Sequence, residues 1–219
     1  MADASTKRSV GPLRALAGLG GAALAGAWWW RTHPSPCPYS QRLWVNAPHP
    51  IITRRRLLET LQPTAGESLL ELGPGTGYYT LTVARQLSEG RLCIVDIQQE
   101  MLDHTMRQAA QAGIAERIEP TCADARALPY PDRTFDAAFS VTALGEIPHP
   151  DQALREFARV LKPTGRLVIG ELLLGDPHVV TFGRLRRLAQ QTGLQIIGRR
   201  GGALGYFAVL GRSATLPGA

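Results

Sequence analysis

The sequence predicts an α/β fold: a doubly wound, seven-stranded and mostly parallel sheet that ends in an antiparallel hairpin. Three observations support this prediction. Short apolar runs alternate with helical patterns, a glycine-rich loop follows the first run, and only four residues separate the last two runs. A chain of 219 residues, 44% of them hydrophobic, is long enough to bury the core that such a sheet needs.

Seven apolar runs have the length and composition of buried strands. They are SLLEL (68–72), RLCIVDI (91–97), RIEPTC (117–122), FDAAFSVT (135–142), GRLVIGE (165–171), LQIIGRR (194–200) and GYFAVLGR (205–212). Helical spacing of apolar residues between the runs indicates a parallel sheet with helices on both faces. Because residues 201–204 are too few for a parallel crossover of about ten residues, the last two runs form a hairpin.

Two segments precede this domain, which takes residues 51–212 and leaves a tail of residues 213–219. Residues 1–31 contain an uncharged apolar run and predict a membrane anchor; a signal peptide and a tail that is interfacial or poorly ordered are the alternatives. Residues 32–50 are rich in proline and aromatic residues and predict an extended arm.

The formal charge of +6, from 24 basic and 18 acidic residues, suggests a nucleic acid or an anionic membrane surface as partner. Eight basic residues precede Leu57, where only Asp3 opposes them, so the bias belongs to the N-terminal part.

The three cysteines, Cys37, Cys93 and Cys122, form no CxxC pair. Their spacing argues against a disulfide framework and against a metal site, and favours a reduced cytoplasmic environment.

The stretch LLELGPGTGYYTL places three glycines two residues apart after the first strand. Backbone N–H groups in such a loop, with a helix start behind it, suit an anionic or polar ligand. A phosphate-binding P-loop requires a lysine that is missing here. A dinucleotide fingerprint requires glycine where Tyr78 stands, which argues against a nicotinamide oxidoreductase.

Two later acids narrow the choice of ligand. Asp96 ends the second strand, nineteen residues after Gly77, where a carboxylate can bind both ribose hydroxyls. Asp124 follows the third strand, where a carboxylate can bind an adenine amino group. Carboxyl ends of parallel strands meet at one edge of a sheet, so the loop and both acids predict a single nucleoside-containing ligand.

These motifs resemble the class I S-adenosylmethionine-dependent methyltransferases, in the branch of quinone-biosynthesis and other small-molecule enzymes. The matching stretches are ELGPGTG (71–77), VDIQQEML (95–102), ADARALPYPDRTFDAAFS (123–140) and ALREFARVLKPTGRLVIGE (153–171). The resemblance implies a Rossmann-like sheet with the C-terminal hairpin inferred above. Thr164 departs from the family, which has glycine in a Lys-Pro-Gly-Gly turn, and we expect only a local adjustment there.

The resemblance also implies S-adenosylmethionine as the cofactor. The residues that it assigns to cofactor binding are Glu71, Gly73, Gly75, Gly77, Asp96, Ile97, Met101, Asp124 and Ala125. The glycines let the backbone approach the methionine part, and the glutamate orders their loop. Asp96 binds the ribose, Ile97 and Met101 pack on the adenine, and the last two residues bind its edge. Core packing is the alternative for Ile97 and Met101.

Methyl transfer from a sulfonium is an in-line displacement, in which a protein chiefly aligns the reactants and excludes water. A general base would assist an acceptor that is a hydroxyl or an acidic carbon. The favoured candidates at the carboxyl edge of the sheet are Glu146, Glu171 and His178, ahead of His149 and Asp176.

The sequence therefore predicts a methyltransferase for a small, apolar or lipid-like acceptor, which the arm helps to enclose. Its catalytic domain is expected in the cytoplasm with the N-terminus at a membrane; a soluble cytoplasmic protein is the alternative. Nucleic acid is not expected as a substrate, because Ser140–Ala143 replaces the (D/N)PP(Y/F) motif of amino-directed enzymes. A membrane-tethered protein that keeps this scaffold without turnover is the second hypothesis.

Overall fold

The computed structural model describes residues 34–41, 50–173 and 178–213. The predicted apolar segment 1–31 lies outside the described residues, as do residues 42–49 of the arm, Asp176 and residues 214–219 of the tail.

Within the described residues the chain forms seven strands and five helices. The strands are β1 (Ser68–Leu72), β2 (Arg91–Asp96), β3 (Ile118–Cys122), β4 (Phe135–Val141), β5 (Leu161–Leu172), β6 (Leu194–Gly201) and β7 (Gly205–Arg212). The helices are α1 (Arg54–Leu61), α2 (Thr80–Ala84), α3 (Gln99–Gln111), α4 (Pro150–Val160) and α5 (Phe182–Gln191). Short 3-10 turns occur at Tyr39–Gln41, Ala115–Arg117 and Leu144–Glu146.

All seven strands belong to one sheet with the order β3-β2-β1-β4-β5-β7-β6. Strands β1 to β5 pair in parallel, and β7 lies antiparallel to both β5 and β6. This confirms the predicted doubly wound sheet with its C-terminal hairpin. The strand order reverses between β1 and β4, and ligands of open α/β sheets bind at the carboxyl ends of the strands beside such a reversal.

The core consists of two hydrophobic clusters, one on each face of the sheet. One cluster joins the strands to α4 and α5, with Phe157 and Leu185 fully buried. The other joins them to α1, α2 and α3, with Leu57 and Leu102 as members. Each large apolar side chain buried in this way contributes about 1.5–3 kcal/mol to the free energy of unfolding. The two clusters hold the strand ends, and hence the loops after them, in fixed positions.

Two boundaries differ from the prediction by more than one residue. Helix α1 begins at Arg54, three residues after the predicted start of the domain at residue 51, because the Thr53 hydroxyl caps it by accepting the backbone N–H of Arg56 at 3.2 Å. Strand β5 begins at Leu161 rather than Gly165, with a register shift against β4 in the stretch that contains Thr164. Thr164 is exposed there, so its departure from the family's glycine has only local consequences.

Candidate active site

The glycine loop follows β1 and is held by close packing. The N–H of Gly73 donates to the carbonyl of Val95 at 2.9 Å, and Gly73 has a φ of +68°. A Cβ at this position would lie 2.5 Å from the Cβ of Ala143, which follows β4. At Gly77, with a φ of +84°, a Cβ would lie 3.1 Å from a side-chain atom of Thr105 on α3. Both glycines are thus required by the packing of the loop as well as by any ligand.

The helix behind the glycine loop is short. Helix α2 has only five residues, and Tyr79 at its N-cap makes no side-chain capping bond. A helix this short has only a small dipole. The backbone N–H groups of the loop therefore provide most of its attraction for a polar ligand.

Beneath this loop the Glu71 carboxyl is buried, with 2% of its surface exposed. Burial raises its pKa to about 8; the Thr80 hydroxyl lowers it in part and the Asp96 carboxylate raises it further. Among the described residues no hydrogen-bond partner reaches its Oε2. A buried carboxyl with spare acceptor capacity at the edge of a ligand loop suits a cationic group such as an ammonium.

The Asp96 carboxylate lies beside the same loop. Its Oδ1 accepts the backbone N–H of Gln98 at 2.9 Å. Burial raises its pKa, and backbone N–H groups of Gln98, Ile97 and Gly75 act in the opposite direction. The contact with Gly75 shows that the structure joins the predicted ribose acid to the predicted loop.

On the predicted adenine side the residues differ in accessibility. Ile97 is 55% exposed and can contact a ligand, whereas Met101 is 2% exposed on the buried side of α3. Asp124 forms an ion pair with Arg126 at 2.6 Å, which holds the pKa of Asp124 below its usual range. Ala125 is half-buried against the core. The adenine contacts of these four residues stay predictions.

The predicted catalytic residues lie on the loops after β4 and β5. The end of β4 is fixed to β5 by the N–H of Thr142, which donates to the carbonyl of Gly170 at 2.9 Å. Gly145 in the loop after β4 packs on the backbone of His178, where a Cβ would collide with the carbonyl. Glu171 is the second-last residue of β5 and 1% exposed; burial raises the pKa of Tyr206, and the charge of Glu171 raises it further. Glu146, Glu171 and His178 thus belong to neighbouring segments at the carboxyl edge.

Comparison with known proteins adds independent evidence. A family described as "Methyltransferase domain" matches residues 69–165, from β1 into β5. This range contains the glycine loop, Asp96, Asp124 and Glu146. Residues 69–165 thus match a methyltransferase domain, within a sheet that has the fold of S-adenosylmethionine-dependent methyltransferases.

Curated relatives belong to the quinone-biosynthesis branch of these methyltransferases. The ubiquinone/menaquinone biosynthesis C-methyltransferase UbiE of Roseobacter denitrificans is 32% identical over 130 residues, covering 59% of this chain and 48% of that protein. The corresponding enzyme of Hahella chejuensis is 39% identical over 108 residues, covering 49% and 43%. The chain therefore spans about half the length of the curated relatives it matches.

Solved structures confirm the methyltransferase fold. A SAM-dependent methyltransferase from Aquifex aeolicus superposes with a TM-score of 0.73 at 20% identity, covering 80% of this chain and 98% of that one. The [4+2]-cyclase SpnF superposes with a TM-score of 0.62 at 29% identity, covering 67% and 57%.

S-adenosylmethionine is the cofactor of this methyltransferase domain, and the site fits it. Glu71, buried with an unused acceptor atom, suits the cofactor's ammonium group, and Asp96 suits its ribose hydroxyls. The glycine loop contacts Asp96 through the backbone N–H of Gly75.

Residues 35–41 of the arm contact the rest of the domain through Cys37 and Tyr39. The N–H of Cys37 donates to Oε2 of Glu146 at 3.0 Å, and the carbonyl of Cys37 accepts Nε2 of Gln98 at 3.0 Å. The Tyr39 hydroxyl lies 3.2 Å from Nδ1 of His104 on α3. Cys37 thereby connects the loops after β2 and β4; the enclosure of an acceptor by the arm stays a prediction.

Sequence reasoning missed Gln98, Tyr39 and His104 as members of this region. Only Gln98 had a usable signal, since it stands two residues after the ribose acid at a strand end. The contact of Tyr39 with His104 joins residues 65 positions apart. No spacing rule predicts such a contact.

The raised pKa of Glu71 gives a testable pH dependence for the ligand-free protein. The folded carboxyl has a pKa of about 8 and an unfolded one about 4.5, so the folded state binds more protons between these values. Stability from this group is complete below pH 4.5 and is lost as the pH rises through 8. We expect Glu71→Gln to remove a slope of up to about 1.4 kcal/mol per pH unit.

Denaturant unfolding of wild type and Glu71→Gln between pH 5 and pH 8 measures this difference. Parallel curves for the two proteins would show that Glu71 does not titrate abnormally. Glu67→Gln is the comparison, because, against the effect of burial, the ion pair with Arg166 holds the pKa of Glu67 below its ordinary value of 4.5, so this variant should leave the slope between pH 5 and pH 8 unchanged.

Proposed function

We propose that this protein transfers the methyl group of S-adenosylmethionine to a small, apolar or lipid-like acceptor. One observation carries the proposal: the glycine loop, Glu71 and Asp96 converge at one sheet edge of a domain that resembles quinone C-methyltransferases. Because the chain covers about half of those relatives, the choice of acceptor class rests on similarity within that part.

The residues divide the work between donor and acceptor. S-adenosylmethionine supplies a methyl group on a positively charged sulfur. The glycine loop with Glu71 holds the amino acid end, and Asp96 holds the ribose. To Glu171 and His178, both buried, we assign the acceptor side. Either can take the proton that a hydroxyl or an acidic carbon releases as the new bond to the methyl group forms, which is worth about 10²- to 10⁴-fold in rate.

The full chain incubated with methyl-labelled S-adenosylmethionine and a cell extract tests this proposal. Label should enter material that partitions into organic solvent, and the product should be heavier than its acceptor by one methyl group. Labelling confined to nucleic acid or to water-soluble metabolites would contradict the proposed acceptor class. An Asp96→Ala variant controls for transfer that does not depend on the cofactor site.

We infer a positioning role for Glu146 instead of the catalytic role that the sequence suggested. Its carboxylate accepts the backbone N–H of Cys37, so it fastens the arm to the loop after β4. Glutamine keeps an acceptor oxygen and alanine does not. We expect Glu146→Ala to lower kcat/KM about tenfold, as for loss of one charge-assisted hydrogen bond, and Glu146→Gln to stay within about twofold of wild type.

The pair of variants separates the two roles of Glu146. If the carboxylate removes a proton, glutamine and alanine should both lower kcat, by about 10² or more. Limited proteolysis within residues 34–41 supplies a second readout, since cleavage should increase in Glu146→Ala alone.

A protein that keeps this scaffold without methyl transfer is the second candidate function. The similarity to SpnF favours it, because that protein is a cyclase and shares 29% identity over 67% of this chain. Binding of S-adenosylhomocysteine together with no label transfer to any component of the extract would support this candidate.

For location we propose a cytoplasmic catalytic domain, where S-adenosylmethionine is made, with membrane association through the N-terminal segment. Among the described residues, none of the helices is both long and apolar enough to cross a bilayer. Fractionation of cells that express the full chain tests the proposal: methyltransferase activity in a periplasmic or extracellular fraction would contradict it.

A further inference from the structure

Acidic and basic residues lie in different parts of this chain, which the net charge does not reveal. Residues 57–177 contain ten basic and seventeen acidic residues, whereas residues 178–219 contain six arginines and no acid. The charges of residues 57–219 therefore nearly cancel only because an acidic region and a basic region are added together. The basic region includes α5 and the β6–β7 hairpin, at the β6 edge of the sheet.

Helix α1 adds charge to the same region. It begins with Arg54, Arg55 and Arg56, all exposed, and its first turn has no acid. Cations at a helix N-terminus oppose the helix dipole and cost stability. Arg54 contacts the Tyr78 ring, Arg55 pairs with Glu59 and Arg56 donates to the carbonyl of Ile51, yet all three side chains stay exposed. Exposed cations that break a local rule in this way are typical of a functional surface.

The two basic elements meet at the carboxyl edge of the sheet. A Cβ at Gly205, the first residue of β7, would lie 2.8 Å from the side chain of Ile51, just before α1. Arg200 of β6 is close enough to Glu59 of α1 to lower its pKa, after the larger effects of Arg55 and of burial. The hairpin turn lies at this edge because Leu172, the last residue of β5, pairs with Gly205.

One exposed apolar side chain, that of Leu204, occurs at the same place. Among the described residues only three large hydrophobic side chains are exposed: Ile97 in the cofactor region, and Ile197 and Leu204 on the hairpin. Leu204 is 52% exposed in the turn Gly201–Leu204, and its carbonyl accepts the N–H of Leu173. A leucine carried on a turn of small residues, with arginines around it, has the composition of a segment that enters a lipid headgroup layer.

We propose that the surface of Arg54, Arg55, Arg56, Arg200 and Leu204, here called the basic hairpin surface, docks on an anionic lipid bilayer. It carries four positive charges against one, Glu59, which pairs with Arg55 at 2.7 Å. Nucleic acid is the less suitable occupant, because the large exposed side chains of the hairpin, Ile197 and Leu204, are aliphatic and cannot stack on bases. The docking is independent of residues 1–31 and of the methyl-transfer chemistry.

Docking through this surface would turn the carboxyl edge toward the bilayer. The guanidinium of Arg54 lies 3.9 Å from the ring centroid of Tyr78, the residue that follows the glycine loop. The basic hairpin surface is thus continuous with the cofactor loop. An acceptor dissolved in the membrane would then enter the site without crossing water.

Hydrogen–deuterium exchange on the full chain locates the docked surface. Vesicles of phosphatidylcholine with phosphatidylglycerol should slow exchange in residues 50–58 and 199–206, and vesicles of phosphatidylcholine alone should not. The protection should weaken as salt is raised, because these charges are exposed. Failure of the anionic vesicles to bind, or binding without protection of both segments, would overturn the proposal. Protection of the same segments by RNA or DNA but not by vesicles would also overturn it.

Two variants and a control measure how much the basic hairpin surface contributes to vesicle binding. Replacing Arg54, Arg55 and Arg56 by glutamine should weaken vesicle binding about 100-fold, from about fivefold per arginine, and should remove the protection of both segments. Leu204→Ser should weaken binding about tenfold. The control replaces Arg85, Arg107 and Arg155, exposed elsewhere, by glutamine and removes the same charge. Equal losses in the two triple variants would show that net charge acts and that this surface does not.

Discussion

Asp96→Ala should weaken binding of S-adenosylhomocysteine about 100-fold while the Tm of the free protein changes by only a few degrees. Two charge-assisted hydrogen bonds to ribose hydroxyls, at about 1.5 kcal/mol each, account for the loss of affinity. The fold should tolerate the change, because burial already disfavours the charged form of Asp96 and raises its pKa. Calorimetric titration of the full chain measures the affinity, and differential scanning measures the Tm.

Asp103→Ala is the matched control for this experiment. Asp103 is an exposed acid on α3, and its carboxylate accepts the side-chain amide of Gln99 at 2.8 Å. Its replacement removes the same charge close by and should leave the affinity unchanged. An Asp96→Ala protein that binds within twofold of wild type would refute the assignment of Asp96 to the ribose.

Gly73→Ala should destabilise the fold by about 3 kcal/mol and lower the affinity for the cofactor product. An L-residue at a φ of +68° costs about 1–2 kcal/mol, and the new Cβ would lie 2.5 Å from the Cβ of Ala143, which adds overpacking of about 1–3 kcal/mol. Relief requires the loop after β1 or the loop after β4 to move, and both border the cofactor site. Denaturant unfolding and calorimetric titration measure the two effects.

The two causes at Gly73 can be separated with a second substitution. Ala143→Gly removes the opposing Cβ, so the double variant should recover the overpacking part and keep the backbone strain. Gly66→Ala is the control, since its Cβ would have no neighbour within 4 Å and its φ is not positive. No recovery in the double variant would mean that the contact with Ala143 does not determine the role of Gly73.

Prediction of the fold from sequence was accurate for those elements that hydrophobic periodicity and loop length determine. The runs of β1 and β7 match the strands residue for residue, and the four-residue connection correctly required a hairpin. Prediction was less accurate where a single side chain sets a boundary. Thr53 ends the extended segment before α1, and this cap is visible only once the backbone around it is known.

For the site, sequence alone predicted which strand ends would meet but not which side chains would bond there. Parallel topology brings Asp96 to the glycine loop, as expected. The same topology does not reveal that Arg126 binds Asp124, or that the backbone of Cys37 binds Glu146. The bond to Cys37 joins positions 109 residues apart, and its geometry depends on the arm, whose course no periodicity describes.

The position of β7 has a consequence for how the chain folds during synthesis. This strand is the last of the seven in chain order, yet it lies between β5 and β6 and pairs with both of them. Until Gly205–Arg212 have left the ribosome, β5 presents an open apolar edge and β6 has no neighbour in the sheet. A nascent chain that stalls before this point exposes a strand edge that pairs readily with other chains.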